Sequence, residues 1–290
     1  MLGSVGDLVE DVVVHLLEPV NVASDTQSVV TRRRGGSAAN MVEAACVAGG
    51  RARFIGQVGN DATGRWLTAR LEAAGADVVV RRAGRTGTIV VLVDPSGERT
   101  MLADRAACTE LDDPDPTWLQ GLHTLHVPYY SLVGEPLATT TVTLAGWANV
   151  RGIRVSVDAS SAALLEHDGA DVALARMAAL RPDVVFANQL EAEVLGEHLR
   201  PETFAGAMVV VKRGAGPAEL RTAAGGSVSV DAMAIDDVSD TTGAGDAFAA
   251  GFLLALAGGT SAEEAIRNAH HVAARSLRTE ARPTPWMRQT

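Results

Sequence analysis

The run Gly243-Ala244-Gly245-Asp246 sets one carboxylate after three small residues and before an apolar stretch that extends to Ala257. Glycines let a backbone come close to another molecule, and the free N–H groups of a helix start attract anions. A carboxylate beside such an anion site is electrostatically awkward unless it has chemistry to do there. A plainer reading makes Asp246 a helix cap.

Other polar residues fall where strands should end. Asp158 follows "RVSV", Asn188 follows "DVVFA", and Lys212, Arg213 and Gly214 follow "MVVV". Ligands of open α/β sheets sit beyond those carboxyl ends. Asn188 and Glu191 share one face of a first helical turn, an amide and a carboxylate suited to a hydrated magnesium ion and phosphate oxygens. The same spacing also makes a capping box. Lys212 and Arg213 read either as phosphate-binding cations or as solvated surface charges. Gly35 and Gly36 open "GGSAAN" ahead of a second helix start, where Asn40 is placed to hydrogen-bond a hydroxyl. Asp7 and Asp11 bracket the first strand, where a turn residue and a sheet-edge charge are the bland alternatives to ligands.

The elements that must position these groups are legible. Apolar, β-branched runs ("RARFIGQVG", "LHTLHV", "GIRVSVD", "PDVVFAN", "AMVVVKRG") alternate with helical patterns ("ATGRWLTARLEAAG", "QLEAEVLGEHL", "SAEEAIRNAHHVAARSLR"). That alternation predicts a doubly wound α/β domain around a mainly parallel sheet. "EDVVVHLLEPV" and "DTQSVVTRRRGG" read as strands with no helix between them. "TGTIVVLVDPSGERTMLAD" reads as a hairpin turning at "DPSGE". These pieces, about 10–34 and 85–105, predict a small separate β-sheet serving as a lid over one edge of a single domain spanning 1–290. A lid suggests a substrate shielded from water.

Bulk properties limit the function classes. A chain of 290 residues, 47% hydrophobic, buries a sizeable core. The formal net charge of −10 argues against nucleic acid as a partner. No run is apolar enough to span a membrane, and the N-terminus lacks signal-peptide character, so a cytoplasmic location is expected. Cys46 and Cys108 have no metal-ligand spacing. Neither the P-loop pattern nor a dinucleotide-binding glycine fingerprint occurs.

Two long stretches carry a resemblance. "GGSAANMVEAACVAGGRARFIGQVGNDATG" and "DTTGAGDAFAAGFLLALA", with "NQLE" between them, resemble the signatures and the N-x-x-E motif of the ribokinase family, the PfkB-type carbohydrate kinases. The resemblance implies a ribokinase-like fold and phosphoryl transfer from ATP, with Mg2+, to a hydroxyl of a small sugar or sugar acid. It implies Asp246 as catalytic base and Gly243, Ala244 and Gly245 as the anion hole. It puts Asn188 and Glu191 at the magnesium and phosphates, Lys212 and Gly214 on the nucleotide loop, and His270 near adenine. Asp11, Gly36 and Asn40 resemble sugar-binding residues, with Gly35 and Asp7 beside them. Some positions depart from the family pattern. His270 replaces a common Asn, and Tyr129 or Tyr130 replaces an acidic sugar ligand of ribokinase. Glu280, in "RTEARPT", stands where several members have Gly in a potassium-site loop, which argues against K+ activation. "VKRGAG" and "TRRRGG" resemble the branch acting on sugar acids. A nucleoside kinase of the same family and a non-catalytic sugar- or nucleotide-binding regulator are the alternatives, and pairing of two lids predicts a homodimer.

Overall fold

The computed structural model describes residues 1–235 and 241–280. Strands β1 (Leu2–Val5), β2 (Val9–Leu16) and β3 (Ser28–Gly35) precede α1 (Ser37–Val47). β4 (Ala52–Val58), α2 (Ala62–Ala73), β5 (Asp77–Arg82), β6 (Thr88–Val93) and β7 (Arg99–Asp104) follow. The middle of the chain gives β8 (Thr124–Pro128), α3 (Leu137–Val150), β9 (Arg154–Asp158), α4 (Ala162–Asp168) and α5 (Ala170–Ala179). The remainder gives β10 (Val184–Asn188), α6 (Gln189–Leu195), β11 (Met208–Lys212), β12 (Ala218–Arg221), β13 (Ser227–Val230), α7 (Ala244–Ala257) and α8 (Ala262–Glu280).

Among the described residues, nine strands form one sheet in the order β13-β12-β11-β10-β9-β8-β1-β4-β5. The ladders from β11 to β5 are parallel, and β12 and β13 add an antiparallel edge. Helices cover both faces, which is why the central strands are apolar on both sides. One face packs Tyr129, Leu144, Val157 and Met177 beneath α3 and α5. The other packs Phe54, Phe186 and Phe252 beneath α1, α7 and α8, with the Phe186 and Phe252 rings edge to face at 5.4 Å. No helix among the described residues is long and apolar enough to cross a membrane.

The second sheet is four-stranded, in the order β3-β2-β6-β7. Its two central strands, β2 and β6, come from separate chain segments and pair in parallel. The expected β6–β7 hairpin is present, its turn held by the Asp94 carboxylate, which accepts from the backbone N–H groups of Ser96 and Glu98.

The start of the chain differs from its sequence reading. The first strand is β1, four residues containing Gly3 and Ser4, too short and too weakly β-branched to stand out. The backbone bends at Gly6 (φ 144°), so Asp7 lies between the two sheets. Asp11 lies within β2, opposite Arg33 on one side and Ile89 on the other. The two aspartates therefore do not bracket one strand, and Asp11 is no sheet-edge charge. The Asp240 that opens the second signature falls outside the described residues. So does 281–284 of the "RTEARPT" stretch; the α8 backbone runs to Glu280.

Candidate active site

α7 starts beneath the carboxyl ends of β9, β10 and β11, and Asp246 is its third residue. Gly243, in a left-handed conformation (φ 77°), occupies the cap position, and no side chain caps this helix. Asp246 is therefore not a helix cap, contrary to the plainer sequence reading. Its carboxylate points across to α1: Ser37 Oγ donates to Oδ1 at 2.6 Å and Asn40 Nδ2 donates to Oδ2 at 3.0 Å. Burial raises its pKa to about 6, and the Ser37 hydrogen bond opposes that. Repulsion from Asp158 adds to the rise, while Asn40 and Lys212 favour the ionised form. Ala244 N–H donates to the Thr241 carbonyl at 3.2 Å, so with no side-chain cap it is the N–H groups of Gly245 and Asp246 and the positive end of the α7 dipole that are available to an anion.

Three strand ends converge beside Asp246. Asn188 and Lys212 are register partners at the tips of β10 and β11, and Asp158 ends β9. Lys212 is no solvated surface charge. Its side chain is 11% exposed, and Nζ lies 2.5 Å from Asp158 Oδ2. A methyl group on Gly245 would sit 3.3 Å from that Nζ, so Gly245 keeps the turn close to the ammonium. Arg213 turns away to pair with Glu219.

Asn188 and Glu191 form a complete capping box, with Glu191 N–H donating to Asn188 Oδ1 and Asn188 N–H to Glu191 Oε2. The structural reading of that pair holds, yet both residues also line the cavity described below. Glu191 is 1% exposed. Burial and the charge of Asp158 push its pKa to about 7, with Lys212 and the Asn188 backbone opposing. Asp158, Glu191 and Asp246 thus surround one ammonium, and the surplus of negative charge fits a divalent cation. No group of three or more His, Cys, Asp or Glu among the described residues makes a metal cage. The amide of Asn188 and the carboxylate of Glu191 suit Mg2+, which keeps several waters and takes one or two carboxylates plus substrate phosphates.

The acceptor end lies where the second sheet overhangs the first. Asp7 receives a two-pronged pair from Arg105: Nε to Oδ2 at 2.7 Å and Nη2 to Oδ1 at 2.8 Å. Arg105 also donates to the carbonyls of Tyr130 and Val133. Asp11 faces Arg33 at 3.5 Å. Gly36 must be glycine on two counts: φ is 101°, and a methyl group would lie 2.2 Å from the Asp7 carbonyl oxygen. Gly35 is not in the cavity wall; a methyl group there would meet the Asp11 carboxylate at 2.1 Å, so it makes room for a ligand rather than being one. Apolar residues of alternate positions on β2, β6 and β7, including Val9, Ile89, Val91 and Ala103, complete this wall. Arg33 and Arg99, from the second sheet, both donate to Thr242 Oγ1, one residue before Gly243.

At the opposite end, Gly214 turns away from β11 (φ 58°) beside His270, Phe248, Ala273 and Leu277 of the two C-terminal helices. His270 Nε2 faces the Val230 carbonyl at 3.1 Å, so that nitrogen carries the proton. The imidazole packs edge-on against Phe248 at 5.1 Å, and burial lowers its pKa. These groups make a flat apolar slot. One continuous cavity of about 1320 Å3 joins both ends, and every sequence-predicted site residue except Gly35 lines it.

Sequence reasoning missed Arg105 and Ser37 and gave Asp158 no role. Ser37 was visible inside "GGSAAN", but nothing marked its hydroxyl as the partner of a residue 209 positions away. Arg105 carried no local signal at all.

The pattern of the pfkB family carbohydrate kinases matches residues 2–285. The chain is 32% identical over 231 residues to an ATP-dependent ribose-1-phosphate kinase of Halopiger xanaduensis, covering 76% of this chain and 72% of that one. It is 32% identical over 253 residues to a fructokinase of Klebsiella pneumoniae, covering 82% and 81%. Among solved structures, adenosine kinase of Sinorhizobium meliloti superposes with a TM-score of 0.81 at 23% identity, covering 97% and 99% of the two chains. A ribokinase II of E. coli in complex with ATP and Mg2+ gives 0.80 at 21%, covering 99% and 94%. The structural likenesses establish the ribokinase fold; the family pattern and the sequence relatives establish more, and this chain belongs to the pfkB family of ATP-dependent carbohydrate kinases.

Proposed function

We propose that Asp246 is the general base of this kinase and that the turn from Gly243 to Gly245 holds the transferred phosphoryl group. The observation that carries the reading is a half-buried carboxylate at the uncapped start of α7, held by side chains of α1 rather than by its own helix. Phosphoryl transfer has a loose transition state, so the protein's work is positioning and charge stabilisation. Asp246 orients the acceptor hydroxyl and takes its proton as the bond to phosphorus forms. The N–H groups at the α7 start and the Lys212 ammonium meet the phosphate charge. Asn188 and Glu191 would hold Mg2+, which when bound would neutralise part of the phosphate charge. The slot at His270, Phe248 and Leu277 takes adenine, and Asp11, Asp7–Arg105 and Asn40 surround the acceptor.

A panel of sugars, sugar acids and nucleosides, assayed for ADP release, tests this. At least one sugar or sugar acid should support turnover with one-to-one ADP formation. Turnover with nucleosides only would make the protein a nucleoside kinase, and ATP binding without any turnover would make it a regulator. A base with a pKa near 6 also gives kcat an acid limb: turnover falls as pH drops through about 6 and is flat above it. A flat profile down to pH 5 contradicts the assignment.

The second sheet supports a homodimer. Residues alternate along its strands, so those opposite the cavity wall, Val12, Val14, Val30, Val90, Leu92 and Leu102, share the outer face. Val30 and Leu102 are 54% and 55% exposed. Pairing of two such faces would cover this apolar patch. Light scattering across micromolar concentrations should give twice the chain mass, and Leu102→Glu should return it to the monomer; a wild-type monomer throughout contradicts the pairing.

A further inference from the structure

Arg32, Arg33 and Arg34 follow one another, yet their surroundings differ sharply. The side chain of Arg32 is 68% exposed, whereas that of Arg34 is 8% exposed. Arg34 reaches from the end of β3 to α1, where Nη1 donates to Asn40 Oδ1 at 2.9 Å and Nη2 pairs with Glu43. Asn40 in turn donates from Nδ2 to Asp246 Oδ2.

That chain has a direction fixed by chemistry. A guanidinium only donates, and an ionised carboxylate only accepts. Asn40 sits between the two, so its oxygen must face Arg34 and its NH2 must face Asp246. Turning the amide over would set donor against donor and oxygen against oxygen. Glu43 holds the second nitrogen of Arg34, which keeps the guanidinium plane from swinging away. These two bonds use one lone pair of the Asn40 oxygen and one N–H of its NH2, which leaves a second donor and a second acceptor for the acceptor hydroxyl that the sequence assigns to it.

We propose that Arg34 is a positioning residue for phosphoryl transfer, which orients the Asn40 amide and through it the carboxylate of Asp246. The proposal rests on the reading of Asp246 as general base. Arg34 does not line the cavity. It lies on the strand leading out of the second sheet, one residue before Gly35 and Gly36, so the setting of that sheet is conveyed to the base through two hydrogen bonds.

The carboxyl resonance of Asp246 in protein labelled with 13C-aspartate, identified by its loss in Asp246→Asn, gives a readout that needs no substrate. Other charged or titratable groups around Asp246 are Asp158 on β9, Lys212 on β11, Glu191 on α6 and Tyr130 after β8. None of them changes in the variants that follow. Arg34→Met should raise the Asp246 midpoint by roughly half to one pH unit, because the Asn40 amide is no longer held and its hydrogen bond to the charged form loosens. Asn40→Ala should raise it similarly, and the double variant should rise no further than Asn40→Ala alone. With the best acceptor of the panel, Arg34→Met should lower kcat roughly ten- to a hundredfold and leave the ATP KM unchanged.

A shift that adds fully in the double variant would mean that the arginine charge acts directly, and it overturns the relay. A lower melting temperature with an unmoved midpoint would make Arg34 a strut for the helix only, and it overturns the proposal as well. Should Arg34→Met fail to fold, Glu43→Gln loosens the same guanidinium from a partly exposed position; its midpoint should move upward by a smaller amount, and no movement is a negative result. If the midpoints move as expected while Asp246→Asn retains turnover, the relay stands and the general-base reading fails.

Discussion

Asp246→Asn gives a folded protein that binds ATP normally and phosphorylates its acceptor about a hundred- to ten-thousand-fold more slowly. The amide is nearly the same shape and still accepts from Ser37, but it cannot take the hydroxyl proton. Stability moves the other way. The pKa of Asp246 in the folded protein, about 6, lies above the ordinary aspartate value of 3.8. Its ionisation therefore weighs against the fold as pH rises from about 4 to 6, and the loss is complete above that range. A neutral amide removes this penalty, although its NH2 then faces the NH2 of Asn40, which partly cancels the gain. The melting temperature at pH 7.5 should be unchanged or higher by a few degrees. Calorimetry, ATP titration and kcat on one preparation check all three. Near-normal turnover in a destabilised protein would make Asp246 a structural residue and remove the base from the mechanism.

Lys212→Met has the largest expected effect on stability. The ammonium is buried against Asp158, and the Asp158 side chain is itself 4% exposed. Deleting one partner of a buried ion pair leaves the other charge without compensation, which costs about 3–5 kcal/mol. In a domain of this size that lowers the melting temperature by about 6–10 °C. Glu191 and Asp246, whose pKa values are raised to about 7 and about 6, lose an attractive neighbour as well. Both bind protons more tightly in the folded state than in the unfolded one, so the deficit should shrink as pH falls from 7 towards 4. Adding Asp158→Asn should restore much of the loss. A solvated lysine would behave differently, changing stability by less than about 0.5 kcal/mol. Melting curves of the single and double variants between pH 5 and 8 separate the two, and a loss below that value would remove Lys212 from the interior of the site.

The fold was readable where one signal ruled the segment. Runs such as "PDVVFAN" and "AMVVVKRG" are buried on both faces, so their composition alone marks β10 and β11. The second sheet was readable because two strand-like segments lacked a helix between them. β1 and the β12–β13 edge were missed because four-residue strands with glycine, serine or charges leave no period to detect. The site was readable in outline, since the glycine turns and strand-end polar residues are local features. Its internal wiring was not. Ser37 to Asp246, Arg105 to Asp7 and Arg34 to Asn40 are pairings created by folding, and the charge pattern along the chain does not encode who meets whom. The cap reading of Asp246 failed for the same reason: local propensity favoured its own helix, and packing of α1 against α7 supplied better partners.

The two ends of the cavity are drawn from different parts of the chain. The apolar wall, Asp11 and Arg33 belong to β2, β3, β6 and β7, all before residue 105, whereas the slot proposed for adenine lies between Gly214 and Leu277. On the proposed assignment, substitutions at Val9, Ile89, Val91 and Ala103 should reshape the acceptor wall without touching the slot at Phe248 and His270, so the acceptor can change while the phosphate donor is kept. The same separation gives the protein engineer a boundary: a chimera carrying residues 7–40 and 88–105 from a relative, which takes in Asp7, Asn40 and Arg105 with the wall, should inherit the relative's acceptor while keeping this chain's affinity for ATP.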